Sequence, residues 1–126
     1  MKIEDQEISF KRLEKGEKMP FDLLLLADPS LDLIAEYLEK SEVFAAVFRE
    51  EIIGEIVVFQ SNPETVEIKN VAVKPDFQGK GIGSFLLEQA IQIARNGKNK
   101  LISIGTANSG VSSSISIRSL DLSWLK

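Results

Sequence analysis

The chain has 126 residues, enough for one domain, and its 15 Lys and Arg against 19 Asp and Glu give a net charge of −4. No basic run occurs, which excludes the electrostatic footprint of a nucleic-acid binder and leaves room for a cationic partner. Cys and His are both absent, excluding thiol nucleophiles, imidazole bases, disulfides and the usual metal ligands, so any acid or base has to be Asp, Glu, Lys, Tyr or water.

The start, Met1-Lys-Ile-Glu-Asp, carries no apolar signal core. The longest apolar run, Leu23 to Ala27, is too short to span a bilayer, so the expected setting is the cytoplasm, away from membranes. Ile8 to Leu13 reads as a first strand, broken by Gly16 to Pro20, and Phe21 to Ala27 as a short helix. A second helix follows: Asp28 suits its N-cap, Pro29 its first position, and Leu31, Ile34, Ala35 and Leu38 form the stripe expected to be buried. Val43 to Phe48 and Ile52 to Phe59 are rich in β-formers and join at Arg49-Glu50-Glu51, the pattern of an antiparallel hairpin.

After the Asn62-Pro63 turn, Thr65 to Lys74 reads as a third long strand. Strict alternation would put Val66, Ile68 and Asn70 on one face and Glu67, Lys69 and Val71 on the other, provided that no bulge intervenes. A helix from residue 81 to about 95 presents Ile82, Phe85, Leu86, Ala90, Ile93 and Ala94 on its apolar side and ends at Asn96-Gly97; Leu101 to Ile104 is the next strand.

Between the third strand and that helix lies Pro75-Asp-Phe-Gln78-Gly-Lys-Gly81-Ile-Gly83-Ser84. Glycines at 79, 81 and 83 let a ligand approach the backbone, and the helix start offers unpaired N–H groups and the positive end of a dipole. Phosphate or pyrophosphate is the natural guest. The spacing G-x-G-x-G is neither the dinucleotide fingerprint G-x-G-x-x-G nor the P-loop G-x-x-x-x-G-K-[ST].

Gln78-Gly-Lys-Gly81-Ile-Gly83, preceded by Val71-Ala-Val-Lys-Pro75 and followed by a helix, resembles the signature [QR]-x-x-G-x-[GA] of the GNAT superfamily of acetyl-CoA-dependent N-acetyltransferases. The resemblance spans roughly residues 8 to 112. It implies a single α/β domain over 1–126, a mixed and mostly antiparallel sheet flanked by helices, with acetyl-CoA as co-substrate and an amine as acceptor. By the same resemblance, backbone amides of Gln78, Gly79, Lys80, Gly81, Ile82, Gly83 and Ser84 hold the coenzyme's pyrophosphate. The Lys80 side chain either adds a charge or stays solvated. Val71 and Val73 pair with the pantetheine arm like an added strand, one N–H there polarising the thioester carbonyl. Asn108 sits near the thiol end. Glu67, four residues before Val71, is the leading candidate base, since some members carry a catalytic glutamate there and its half-buried strand would raise its pKa; Glu55 is the second. No metal site is expected.

Past Asn108 the resemblance fails. The family pattern N-S-x-x-[AS]-x-x-[LF]-Y-x-[KR]-x-G-F begins correctly with Asn108-Ser-Gly-Val-Ser112, then gives way to Ser113-Ser-Ile-Ser-Ile-Arg-Ser-Leu-Asp-Leu-Ser-Trp-Leu-Lys126. Permitted codons for Ser112 to Lys126, read from the last base of the Ser112 codon, yield QLYLYQKFGFELVE, which fits the missing segment. Synonymous choice makes part of this match cheap, so the constrained positions decide. Ile115 and Ile117 allow only Tyr, His, Asn or Asp in the shifted frame, and Asp121 only Gly, Arg or stop. The pattern is that of a one-base deletion near Ser112 in a longer acetyltransferase gene.

Such a chain lacks the family's two final strands and has no tyrosine after Tyr37 to serve as general acid. The strand at 101–104 is then expected to keep an open edge, a route to a homodimer or to docking of the tail through Ile115, Ile117, Leu120, Leu122 and Trp124. Turnover is expected to be impaired, and a non-catalytic acetyl-CoA or CoA-binding module is the alternative reading.

Overall fold

A computed structural model describes residues 1–105 and 112–116, with backbone alone at Gly105 and in the second segment. A six-stranded sheet has the order β3-β4-β5-β6-β7-β8, beside a small ribbon of β1 (Lys2–Ile3) and β2 (Gln6–Glu7). β3 (Ser9–Leu13), β4 (Glu42–Phe48), β5 (Glu51–Asn62) and β6 (Thr65–Val73) form an antiparallel meander. β7 (Leu101–Gly105) joins β6 in parallel, and β8 (Ser112–Ser116) joins β7 antiparallel. The sheet is therefore mixed and mostly antiparallel, as expected.

Of the two outcomes expected for the edge at 101–104, docking of the tail is the one found: β8 pairs along all of β7, from Leu101↔Ser116 to Gly105↔Ser112. Unpaired strand edges take the nearest compatible segment, and here it is the chain's own tail, so a homodimer through that edge has no free ladder to use. Ile117, Leu120, Leu122 and Trp124, like Asn108, lie outside the described residues.

The expected hairpin closes through Arg49 and Glu50, both left-handed (φ 50° and 67°), the two-residue geometry that matches strand twist. α1 (Phe21–Ala27) and α2 (Leu31–Leu38) cover one face of the sheet and α3 (Ile82–Asn96) the other. On the α3 face Phe44, Ile56, Val58, Val66, Ile68, Ile82, Leu86 and Ile102 form the larger core, with Phe10 stacked on Phe44 at 5.1 Å. On the other face Leu13, Leu24, Ile34, Val43, Ala45 and Val57 form a smaller one.

Three local expectations are corrected. Ser30, not Asp28, caps α2, accepting from Leu33 N–H at 3.2 Å, while Asp28 ends α1 and accepts from Ser30 N–H at 3.0 Å. Of the α2 stripe only Ile34 is buried; Leu31 and Ala35 are exposed, because so short a helix rests on the sheet by one turn. A bulge does intervene in β6: Val58 faces Ile68 and Val57 faces Asn70, so Lys69 is the extra residue. Asn70 consequently leaves the Val66–Ile68 face for the α1 side, and Val71 and Val73 join the α3 core.

Candidate active site

The β6 ladder to β7 ends at Ile68↔Ile104, while β6 itself runs on to Val73. From Lys69 onward its outer edge has no strand partner among the described residues. Lys74 N–H donates inward to Ile53 C=O at 2.8 Å. Successive residues of a strand aim their backbone groups to opposite sides, so those of Val73 and Val71 face the free edge. Val73 C=O receives the Gln78 Nε2 donor at 3.0 Å, tying the loop back to the strand.

The loop follows a single 3-10 turn, Pro75–Phe77. Gly79 and Gly81 are left-handed, at φ 80° and 85°, which L side chains rarely adopt. Around Gly79 nothing lies within 4 Å of where a Cβ would stand. Gly83 is already helical, with only Val73 Cγ2 at 3.9 Å. The first bond of the α3 ladder is Phe85 N–H to Gly81 C=O at 3.0 Å, so the amides of Ile82, Gly83 and Ser84 precede it as first-turn donors without an intrahelical acceptor, the kind that suits an anion. The Lys80 side chain is exposed.

Two adjoining hollows follow this path. One of about 280 Å³ is lined by the loop and first turn of α3, including Gly79, Gly81 and Ser84. The other, of about 340 Å³, lies between the end of α1 (Leu26, Ala27) and Val71, Ala72 and Val73. Both share Val73, Gln78 and Gly83, so they form one cleft from strand edge to helix N-terminus. Of the sequence-predicted residues, Val71, Val73, Gln78, Gly79, Gly81, Ile82, Gly83 and Ser84 thus come together.

Glu67 stands one residue before the last pair of the β6–β7 ladder, opposite Ser103 of β7. Its Oε2 is 2.9 Å from Lys69 Nζ, which also lies 5.0 Å from the Phe59 ring centre. The pair is about a quarter exposed. Glu55, the second candidate, is fully buried on β5, and neither carboxyl oxygen has a hydrogen-bond partner among the described residues. Loss of water pushes its pKa up to about 8.

Sequence reasoning missed the polar group above Glu55. Asn70 Nδ2 donates to Leu24 C=O and to Tyr37 Oη, each at 2.9 Å, and Tyr37 Oη donates to Asp28 Oδ2 at 3.4 Å. Burial, with the nearby carboxyls, pushes the Tyr37 pKa up to about 12. An asparagine inside an apolar strand run was the available signal; without the bulge it pointed to the wrong face. Among the described residues no cluster of three acidic side chains is placed to hold a metal ion.

The mixed sheet, the β6 edge that runs on past its ladder with β7, and the glycine loop together define a fold of the N-acetyltransferase class. The family model of the GNAT acetyltransferases matches residues 10–115, and the chain belongs to that family. It is 45% identical over 103 residues to the uncharacterized N-acetyltransferase YvbK of Bacillus subtilis (strain 168), a match covering 79% of this chain and 66% of that one, just under two thirds of its length. Among solved structures it is similar to a GNAT family acetyltransferase from Elizabethkingia anophelis with acetyl-CoA bound, at 45% identity and a TM-score of 0.78, covering 85% of this chain and 69% of the other. A Bacillus subtilis acetyltransferase in complex with CoA is 41% identical, with a TM-score of 0.74 and coverage of 83% and 69%.

Proposed function

We propose that the chain binds acetyl-CoA along the free edge of β6 and transfers the acetyl group to a primary amine of a small molecule or protein. The observation that carries this reading is the β6 edge from Lys69 to Val73, which has no strand partner among the described residues and leads directly into the left-handed glycine loop. Val71 and Val73 supply backbone groups for the pantetheine arm, and one N–H there stabilises the oxyanion. The amides from Gln78 to Ser84 hold the pyrophosphate, Lys80 adds a mobile charge, and Asn108 serves the thiol end.

The amine must attack as the neutral species. Its nitrogen forms a bond to the carbonyl carbon, the C–S bond breaks, a proton leaves the nitrogen, and the thiolate takes one up. Glu67 is the proposed base, with Lys69 holding its carboxylate near the end of the β6–β7 ladder. Within these 126 residues no tyrosine follows Tyr37, so the proton source proposed for the thiolate is water, with slow turnover as the expected consequence. No helix among the described residues is long and apolar enough to cross a membrane, and the cytoplasm is the setting proposed.

Calorimetry with acetyl-CoA and thiol release over an amine panel test the reading. Saturable binding with thiol release is expected, and Glu67→Gln should lower kcat roughly a hundredfold or more with coenzyme affinity intact. Binding without release for any amine would instead favour a coenzyme-binding module, a reading supported by the ion pair that occupies Glu67. Absence of binding would overturn both.

A further inference from the structure

Exposed apolar side chains gather on the two short helices. Of the seven large ones exposed among the described residues, five lie between residues 21 and 33: Phe21, Leu25, Leu26, Leu31 and Leu33, each 40–54% exposed. Single exposed leucines are ordinary, whereas a concentration of them marks a contact surface. Phe21 and Leu25, four apart, share one ridge of α1, and Leu26 turns toward the cleft whose wall it forms with Ala27.

The same helices carry one sign of charge. Residues 21 to 39 contain five acidic side chains and no Lys or Arg. Asp28 is buried and engaged by Ser30 and Tyr37, which leaves Asp22, Asp32, Glu36 and Glu39 at the surface. None of these four is held in an ion pair among the described residues. Asp32, Glu36 and Glu39 follow the i, i+4, i+7 spacing and form a ridge turned away from the buried Ile34, with Leu33 on one flank and Leu31 on the other. The platform is preformed, since Asn70 Nδ2 bonds both Leu24 C=O on α1 and Tyr37 Oη on α2 and so pins the two helices to β6. Charge then decides the occupant. A second copy meeting this face by a two-fold axis would set acidic ridge against acidic ridge, and an anionic lipid surface would be repelled in the same way. A basic polypeptide with interspersed apolar side chains matches both properties of the face.

We propose that the outer face of α1 and α2 is a docking surface for a lysine-rich segment of another protein in which basic and apolar residues are interspersed. Its apolar side chains lie against Phe21, Leu25, Leu31 and Leu33, and its basic ones against Asp32, Glu36 and Glu39. Leu26 and Ala27 continue the surface into the cleft beside Val71 and Val73, so a lysine of the docked segment has a route to the strand edge. That last step rests on the acetyltransferase reading, for which it selects a protein over a free small amine as acceptor; the docking itself does not. The residues that dock stay cationic, and the lysine that enters the cleft is a different one, free to lose its proton before attack.

The test follows the backbone amides of the full chain by NMR during titration with a peptide of repeating Lys-Leu-Lys-Ala. Saturable shifts centred on residues 21 to 39 are expected, with a repeating Lys-Ser-Lys-Ser peptide bound about tenfold more weakly and a repeating Glu-Leu-Glu-Ala peptide not bound. Leu33→Ser, and separately Asp32→Asn with Glu36→Gln, should each weaken the Lys-Leu-Lys-Ala peptide about threefold to tenfold. Both variants change exposed side chains outside the cleft, so acetyl-CoA affinity and the urea midpoint should hold. No saturable shift, shifts centred elsewhere, equal binding of either control peptide, or unchanged affinity in either variant overturns the proposal. A dimer in sedimentation equilibrium that Leu33→Ser dissociates overturns it as well, because the face would then belong to a second copy. Docking as expected with no acetyl-lysine formed on the peptide in the presence of acetyl-CoA supports the surface and counts against the acetyltransferase reading alone.

Discussion

Glu55 is the residue at which fold and chemistry pull apart. A carboxyl with no partner in the core destabilises its own strand once ionised, and the pH dependence follows from the raised pKa. Between the ordinary value of 4.5 and about 8 the unfolded chain has lost this proton and the folded chain retains it. Folded stability should therefore fall as pH rises through that window, by about 1.4 kcal/mol per unit from this group, and level off above it. Urea titrations of Glu55→Gln should show this slope removed and higher stability at pH 8 than the unmodified chain; a variant that keeps the full slope would assign it to another group. That Glu55 would be buried was not legible from one residue in a β-rich run. The absence of His and Cys, by contrast, narrowed the acid-base candidates from composition alone.

Among the elements, the glycine loop and α3 were the most legible, because turn chemistry and helical periodicity act over neighbouring residues. The bulge at Lys69 was not: it is set by pairing with β5, which a single strand's pattern does not contain. The Asp28 and Ser30 error had a similar origin, since both residues are good caps and only the geometry between α1 and α2 decides which one is used. The loop makes a separable prediction. Gly81→Ala forces a side chain into φ 85° and should cost about 1–2 kcal/mol of stability along with coenzyme binding. Gly83→Ala places its Cβ at ordinary contact distance in a helix, so stability should hold or rise by up to about 1 kcal/mol. If the pyrophosphate packs there, acetyl-CoA affinity should still fall roughly tenfold. Thermal melts with and without acetyl-CoA separate the two effects, and unchanged affinity in Gly83→Ala would place the pyrophosphate elsewhere.

For the whole molecule, the shifted frame proposed for the tail makes a prediction outside the protein itself. The coding DNA should carry a TCN codon at Ser114; AGT or AGC there would overturn the frame reading. The family match ends at Ile115, close to where the two frames would part. A chain with the frame restored should regain a tyrosine for the leaving thiolate and turn over faster at unchanged acetyl-CoA affinity. Backbone pairing of β8 with β7 indicates how an unrelated sequence can be tolerated at this place: a ladder needs main-chain groups in register and asks little of side-chain identity.

The short parallel ladder between β6 and β7 gives the fold a seam. Four residue pairs, Thr65↔Leu101 to Ile68↔Ile104, join the two-strand wing to the meander, and past them β6 runs on to Val73 with no strand partner on that edge among the described residues. A coenzyme arm lying along that edge would act as a rivet between two partial sheets, so ligand occupancy and mechanical continuity of the sheet become one variable.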